Sequence, residues 1–222
     1  MLPPWSDLTG YQVLVVPGLF LTDDDTVARV GAFAEAGGTV VVSFLSGIVD
    51  ENDRVRLGGY PGAFRELLGA WCEEFRPLQE GESFALDNGW SGTEWTELVR
   101  VRDAEVTARY AGGHLNGLPA ITSRSLAAGG RAVYVSAGLD SDALLALARS
   151  LVPPTSAANA PSGVEVLVRR NDTEAFTFFV NHANTDAVIA ARGREMLTDE
   201  PVGGELHIPA GEVRVVRSNA VR

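Results

Sequence analysis

Cysteine is almost missing from this chain of 222 residues: Cys72 stands alone, which excludes an intrachain disulfide and any metal site built from several thiolates. Basic residues are also in deficit, 18 against 29 acidic ones, for a formal charge of -11. A field of that sign repels phosphate backbones and anionic lipid surfaces, so neither nucleic acid nor a membrane is an expected partner. No apolar run approaches the ~20 residues that cross a bilayer; the strongest, Val13 to Leu21, is broken by Pro17-Gly18. The first residues, Met1-Leu2-Pro3-Pro4-Trp5-Ser6-Asp7, lack the basic segment and apolar core of a signal peptide. A cytoplasmic location is the expectation, since secreted chains of this size often carry paired cysteines.

What is present describes a folded protein. Hydrophobic residues make up 45% and charged residues 21%, enough to bury a medium domain followed by a small one. Tyr11 to Val16 is a short, valine-rich run stopped by Pro17-Gly18, the pattern of a strand buried on both faces of a parallel sheet. Thr22 to Asp25 then offers a capping hydroxyl and first-turn carboxylates, with Val27, Val30 and Ala34 at helical spacing until Gly37-Gly38. Thr39 to Phe44 repeats the buried-strand pattern, giving a strand, helix, strand unit that predicts a parallel crossover.

Ala63, Phe64, Leu67 and Leu68 form a second helical stripe, which Trp71 continues, and Glu105 to Tyr110 and Arg131 to Ser136 read as strands. Asp87-Asn88-Gly89 and Ser91-Gly92 mark turns. Ser141-Asp142 caps a last helix whose Leu144, Leu147, Ala148 and Leu151 share one side. The segment Val152 to Gly163, rich in proline and small residues, divides a domain over 1–152 from one over 163–222. In the second, Val164, Val166 and Val168 alternate with other residues, Asn171-Asp172 turns, and Phe176, Phe178 and Val180 alternate again. That predicts a hairpin in a small antiparallel β module.

No catalytic site can be assembled from these residues. The loop Ser43 to Arg54 follows the carboxyl end of a buried strand, where open α/β sheets bind ligands. Its Leu45, Ser46, Gly47, Asp50, Asn52, Asp53 and Arg54, with Tyr60 beyond, are the candidate interface or ligand residues. Asp50-Glu51-Asn52-Asp53 offers oxygen ligands but lacks the spacing and glycine of a calcium loop, so its expected role is structural or interfacial, with Arg54, Arg56 and Arg65 as pairing partners in a neighbouring subunit. Glycoside hydrolysis needs two carboxylates flanking the sugar bond, and no spacing singles out a pair among Glu82, Asp87, Glu94 and Glu97. Trp90 and Trp95 lie in a turn-rich segment and are the better candidates for sugar contact, ahead of Trp5 and Trp71. His182, after a phenylalanine-rich strand, reads as a satisfied edge residue rather than a catalyst, and Cys72 as a small core residue. No metal and no cofactor are expected.

The order of elements resembles the class I glutamine amidotransferase fold, in which a nucleophilic cysteine sits on a sharp turn after the second strand. The matching positions here read Leu45-Ser46-Gly47, and leucine cannot attack an amide. More specifically, Gly10-Tyr11 through Pro17, Ala36 to Val40, Ser46 to Asp50 and Gly58-Gly59-Tyr60-Pro61-Gly62, taken in order, resemble the trimerisation domain of glycoside hydrolase family 42 β-galactosidases. Gly163 to Val166, Phe179-Val180-Asn181-His182 and Met196-Leu197-Thr198 resemble the β domain that ends those enzymes. The resemblance implies a degenerate, flavodoxin-like parallel-sheet domain that joins three subunits, followed by a small antiparallel β domain. It implies too that both catalytic glutamates belong to a preceding TIM barrel, with no counterpart here. The partners it implies are further copies of the chain and that barrel. It further implies a strand and helix ahead of Leu2-Pro3-Pro4, whose absence leaves an open sheet edge. A stand-alone carbohydrate-binding or regulatory protein on an inactive amidotransferase-like fold is the alternative.

Overall fold

The valine-rich segments pair as their composition predicts. Strands β1 (Val13–Val16) and β2 (Thr39–Ser43) run parallel, Val13 opposite Thr39 and Val16 opposite Val42, and α1 (Asp24–Glu35) joins them. The cap of α1 is Asp23, whose carboxylate accepts the Thr26 N–H at 2.6 Å. In this computed structural model residue 3 and residues 6–152 and 160–219 are described. Trp5 and most of the proline-rich segment, residues 153–159, lie outside them. The chain divides into two units, residues 1–151 and 152–222.

In the first unit a short α2 (Arg65–Leu68) ends at Gly69, which adopts the left-handed φ of 61°. The helical stripe stops there, and Trp71 belongs to the strand β3 (Ala70–Pro77) rather than to a helix. The chain continues through β4 (Ser83–Ala85), β5 (Ser91–Thr93), β6 (Trp95–Val101), β7 (Glu105–Arg109), β8 (Pro119–Ser125), β9 (Arg131–Val135) and α3 (Ser141–Leu151). Ser91-Gly92 is therefore strand, held against β4. The main sheet has the order β1-β2-β9-β8-β7. Only its first three strands are parallel; β8 and β7 are antiparallel, so the expectation of a parallel sheet is corrected to a mixed one.

Two cores flank this sheet. On one side Phe64, Leu68, Val99 and Tyr134 pack with Val30 and Ala34 of α1. On the other, Ala143 and Leu147 of α3 pack with Val133, Val135, Ile121 and Tyr110. The face of α3 is rotated from the expected one: Ala143 and Leu147 are buried, whereas Leu144 and Ala148 face solvent. The antiparallel pair β3–β6, Ala70 opposite Val101 to Pro77 opposite Trp95 with a bulge after Cys72, is a separate two-stranded element.

The second unit is antiparallel throughout. Strands β10 (Val164–Arg170) and β11 (Glu174–Asn181) form the expected hairpin, followed by β12 (Ala187–Ala190), β13 (Gly193–Glu195), β14 (Pro201–Val202), β15 (Glu205–Ile208) and β16 (Val213–Asn219). Val164, Phe179, Ile208 and Val216 form its core. Asn181 is buried at the end of β11, where its amide donates to the carbonyls of Thr185, Ile208 and Pro209 at 2.9, 3.1 and 3.1 Å and its oxygen accepts from Ala183 at 3.0 Å. Removing one partner from a buried set leaves the others desolvated and unpaired. Asn181→Leu therefore lowers the stability of this unit by about 2 kcal/mol, measured by urea unfolding.

Candidate functional site

The loop after β2 is built from its own backbone outwards. Leu45 holds φ at 57°, a left-handed conformation that costs a branched side chain free energy and persists only where neighbours impose it. The neighbours are clear. Phe44 N–H donates to Val135 at 3.0 Å and Gly47 N–H to Leu19 at 2.7 Å. Ser46 Oγ donates to Val16 at 3.1 Å and accepts from Leu19 N–H at 3.3 Å. Ser46 is fully buried, and its hydroxyl is taken up by main chain on both sides, its hydrogen-bond partners among the described residues being Val16 O and Leu19 N–H. A Cβ on Gly47, itself at φ 60°, would lie 2.6 Å from Ala63 Cβ and 2.9 Å from the ring of Phe64. The turn is thus pressed onto the core.

The rest of the loop surfaces. Asp50 Oδ1 accepts the N–H groups of Asn52 and Arg54, each at 2.9 Å, and these bonds, Arg54 first, hold its carboxyl below the usual range. The acidic run fixes a turn, and among the described residues no group of His, Cys, Asp and Glu is placed to hold a metal ion. Asn52, Asp53 and Arg54 are exposed. Arg56 and Arg65 find partners within their own chain: Arg56 pairs with Asp24 at 2.7 Å and with Thr22 O at 2.9 Å, and Arg65 donates to Leu57 O at 3.1 Å and to Gly58 O. Tyr60 is half-buried and stacks on Phe75, 4.7 Å between centroids.

That stack continues. Phe75 meets Trp95 at 5.3 Å, and Trp95 lies flat on Phe44 at 5.4 Å. A row of four half-buried rings thus runs beside the turn at Leu45, and beneath it lies Glu97 of β6, with no exposed surface. Its carboxyl accepts from the Trp95 indole at 3.1 Å and from the Tyr134 hydroxyl of β9. The Glu97 N–H donates to Tyr110 Oη at 3.3 Å. Burial, partly offset by the hydrogen bonds from Tyr134, Trp95 and Cys72, pushes Glu97 up to about 7. Burial and the neighbouring carboxylate push the Cys72 thiol up as well, so that thiol is inert.

Sequence reasoning did not single out Glu97, since it stood as one of four acidic residues. The other three are placed differently. Glu82 caps Gln79 N–H at 2.8 Å, Asp87 accepts from Arg109 N–H at 2.9 Å, and Glu94 is exposed. Trp90 packs against the α3 side of the sheet, and Trp95 is committed to Phe44 and Glu97. His182 and His207 pair with Glu165 and Asp186 on the surface of the second unit, at 2.9 and 3.3 Å, and His114 is exposed.

Residues 1–156 match the family model described as the β-galactosidase trimerisation domain, and residues 163–218 the one described as the β-galactosidase C-terminal domain. The chain belongs to the family 42 β-galactosidases. Among this family's members, a β-galactosidase of Arthrobacter sp. is 39% identical over 220 residues, covering 97% of this chain and 31% of its own length. One of Geobacillus kaustophilus is 34% identical, covering 97% and 34%. The crystal structure of the β-galactosidase from Bacillus circulans sp. alkalophilus superposes with a TM-score of 0.86 at 32% identity, over 96% of this chain and 34% of that one. The chain spans about a third of the length of the family 42 relatives it matches. No helix among the described residues is long and apolar enough to cross a membrane.

Proposed function

We propose that this chain is the assembly and C-terminal part of a β-galactosidase, with no turnover of its own, and that the parent enzyme's acid/base and nucleophile lie in a TIM barrel outside it. The observation that carries this reading is the match, in succession, to the trimerisation-domain and C-terminal-domain models. The geometry supports it. Glycoside hydrolysis needs two carboxyl groups about 5–9 Å apart across a sugar-sized space. Glu97 is instead sealed beneath aromatic rings, and its hydrogen-bonding neighbours are Tyr134 and Trp95. The strained turn at Leu45 supports descent from an amidotransferase-like elbow, a strand-to-turn geometry that elsewhere presents a nucleophile and here presents leucine.

In this reading three copies associate through the first unit, and the exposed part of the candidate loop, Asp50 to Arg54, lies at that contact. The sheet-edge strand β1, with its exposed Val15 and the exposed Tyr11 just before it, takes a strand from the part of the parent outside this chain. The buried, unpaired Cys72 accords with a cytoplasmic setting. The purified chain should release no nitrophenol from a nitrophenyl β-galactoside above the uncatalysed rate. Turnover that survives further purification would end the non-catalytic reading. The alternative, a free-standing sugar-binding protein, draws on the ring row from Phe44 to Tyr60, and saturable quenching of tryptophan fluorescence by galactose would favour it.

A further inference from the structure

Trp90 takes no part in the ring row beside Leu45. It stands between β4 and β5 with its main chain pinned: the Trp90 carbonyl accepts the Leu86 N–H at 2.7 Å, and the Trp90 N–H donates to Asn88 Oδ1 at 3.1 Å. The half-buried indole lines a cleft of about 130 Å³ between the main sheet and the last turn of α3. Buried Ile121, Val133 and Leu147 give that cleft an apolar lining. Around them stand polar groups of two kinds. Ser150 and Thr107 are already committed, their hydroxyls donating to Leu147 O at 2.7 Å and to Ile121 O at 3.2 Å. The Trp90 indole N–H, the Asn88 amide N–H groups, the Ser123 hydroxyl and the Arg131 guanidinium make no hydrogen bond or ion pair among the described residues. Free donors converging on an apolar hollow suit a ligand that brings its own acceptors.

We propose that this cleft binds a single neutral sugar ring, at a site distinct from the ring row and independent of the assembly reading. Electrostatics selects against charged ligands. A cation meets Arg131. An anion meets the last turn of α3, whose carbonyls carry the negative end of the helix dipole. It also meets the exposed Glu105, in register with Ser123, and the field of a chain carrying -11. A polyhydroxylated ring avoids both costs. Its C–H face lies on the Trp90 indole and the apolar lining, while its oxygens accept from Arg131, Asn88 and the indole N–H and its hydroxyls pair with Ser123 Oγ. Size sets the number of rings. Pockets for drug-sized ligands hold roughly 300–1,000 Å³, so about 130 Å³ takes one ring rather than a chain of them.

The test is a nitrogen–proton NMR titration of the purified chain, whose indole N–H signals come from Trp5, Trp71, Trp90 and Trp95, with D-galactose and D-glucose as separate probes. The Trp90 signal is assigned by its loss in Trp90→Phe. It is expected to shift saturably with at least one of the two sugars, at a dissociation constant on the order of millimolar for so small a ligand. Arg131→Met should weaken that binding at least about tenfold, and Ser123→Leu, which fills the cleft, should abolish it. Both should keep the circular dichroism of wild type, since neither side chain holds a hydrogen bond in the fold. No saturable shift at Trp90 with either sugar, or one that Arg131→Met leaves unaltered, would overturn the site and leave the assembly reading standing. A shift confined to Trp95 would overturn it too, moving sugar binding to the ring row. A Trp90 shift produced by acetate and by neither sugar would overturn the neutral ligand.

Discussion

Thermal stability of the first unit should fall as pH rises from about 4.5 to about 7 and level off above it. The cause is Glu97. In the unfolded chain its carboxyl titrates near the ordinary 4.5; in the folded one burial pushes it up to about 7. Between those values the native state holds a proton that the unfolded state has lost, so each rise in pH favours unfolding. The stabilisation is complete below 4.5 and is lost as pH passes through 7. At 1.36 kcal/mol per pH unit the loss is about 3 kcal/mol. Among the described residues no cation faces the group: Cys72 from β3, Tyr110 after β7 and Tyr134 from β9 are its titratable neighbours. Glu97→Gln removes the titrating proton and should leave the midpoint nearly flat between pH 5 and 8, as followed by differential scanning calorimetry. A wild-type profile that climbs across this window would show that Glu97 is ionised and stabilised by something other than these hydroxyls.

Phe64→Ala should be the most damaging single truncation near the candidate loop. The ring has no exposed surface and sits in the core between Leu68, Val99 and Tyr134, directly under Gly47. Its loss removes apolar contact and leaves a cavity, at about 4 kcal/mol and roughly 10 °C in the midpoint for a unit of this size. The strained turn at Leu45 depends on the same support. Hydrogen exchange of the Gly47 and Ile48 amides, which donate to Leu19 and Phe20, should accelerate together with the global change. A variant that loses less than about 1 kcal/mol would show that the pocket collapses freely, against the tight fit seen around Gly47.

The parts of this fold legible in the sequence are those whose burial is symmetric. β2 and β9 are buried on both faces and read as apolar runs; β1 reads the same way, but it is the edge strand and its Val15 is exposed. α1 announces itself by its acidic first turn, and the β10–β11 hairpin by alternation around Asn171-Asp172. Residues 71–117 were hard to read for a definite reason. In β3 the bulge between Cys72 and Glu74 shifts the register, and charged Glu73 and Glu74 interrupt the apolar pattern, so the period of two is lost. The mixed character of the sheet was hidden in β8, where Thr122 and Ser123 mask a strand whose inner face is buried. α3 misled because its leucines outnumber its buried positions: Leu144 and Leu145 are half exposed, while the small Ala143 packs inward.

The candidate site divides the same way. The position of the loop after β2 followed from the strand that precedes it. Glu97 could not be found from its own segment. A glutamate between Thr96 and Leu98 reads as a solvent-facing residue, and what buries it is Tyr134, 37 positions further on. The cleft beside Trp90 is a fact of tertiary structure too, because Trp90, Ser123, Arg131 and Leu147 reach it from separate parts of the chain.

The most direct test of the central claim is the solution mass of the purified chain by light scattering across a wide concentration range. The account predicts a species of about 71 kDa, three times the 23.6 kDa chain, that persists on dilution to low micromolar concentration. A mass that stays at 23.6 kDa throughout would contradict the proposed assembly role.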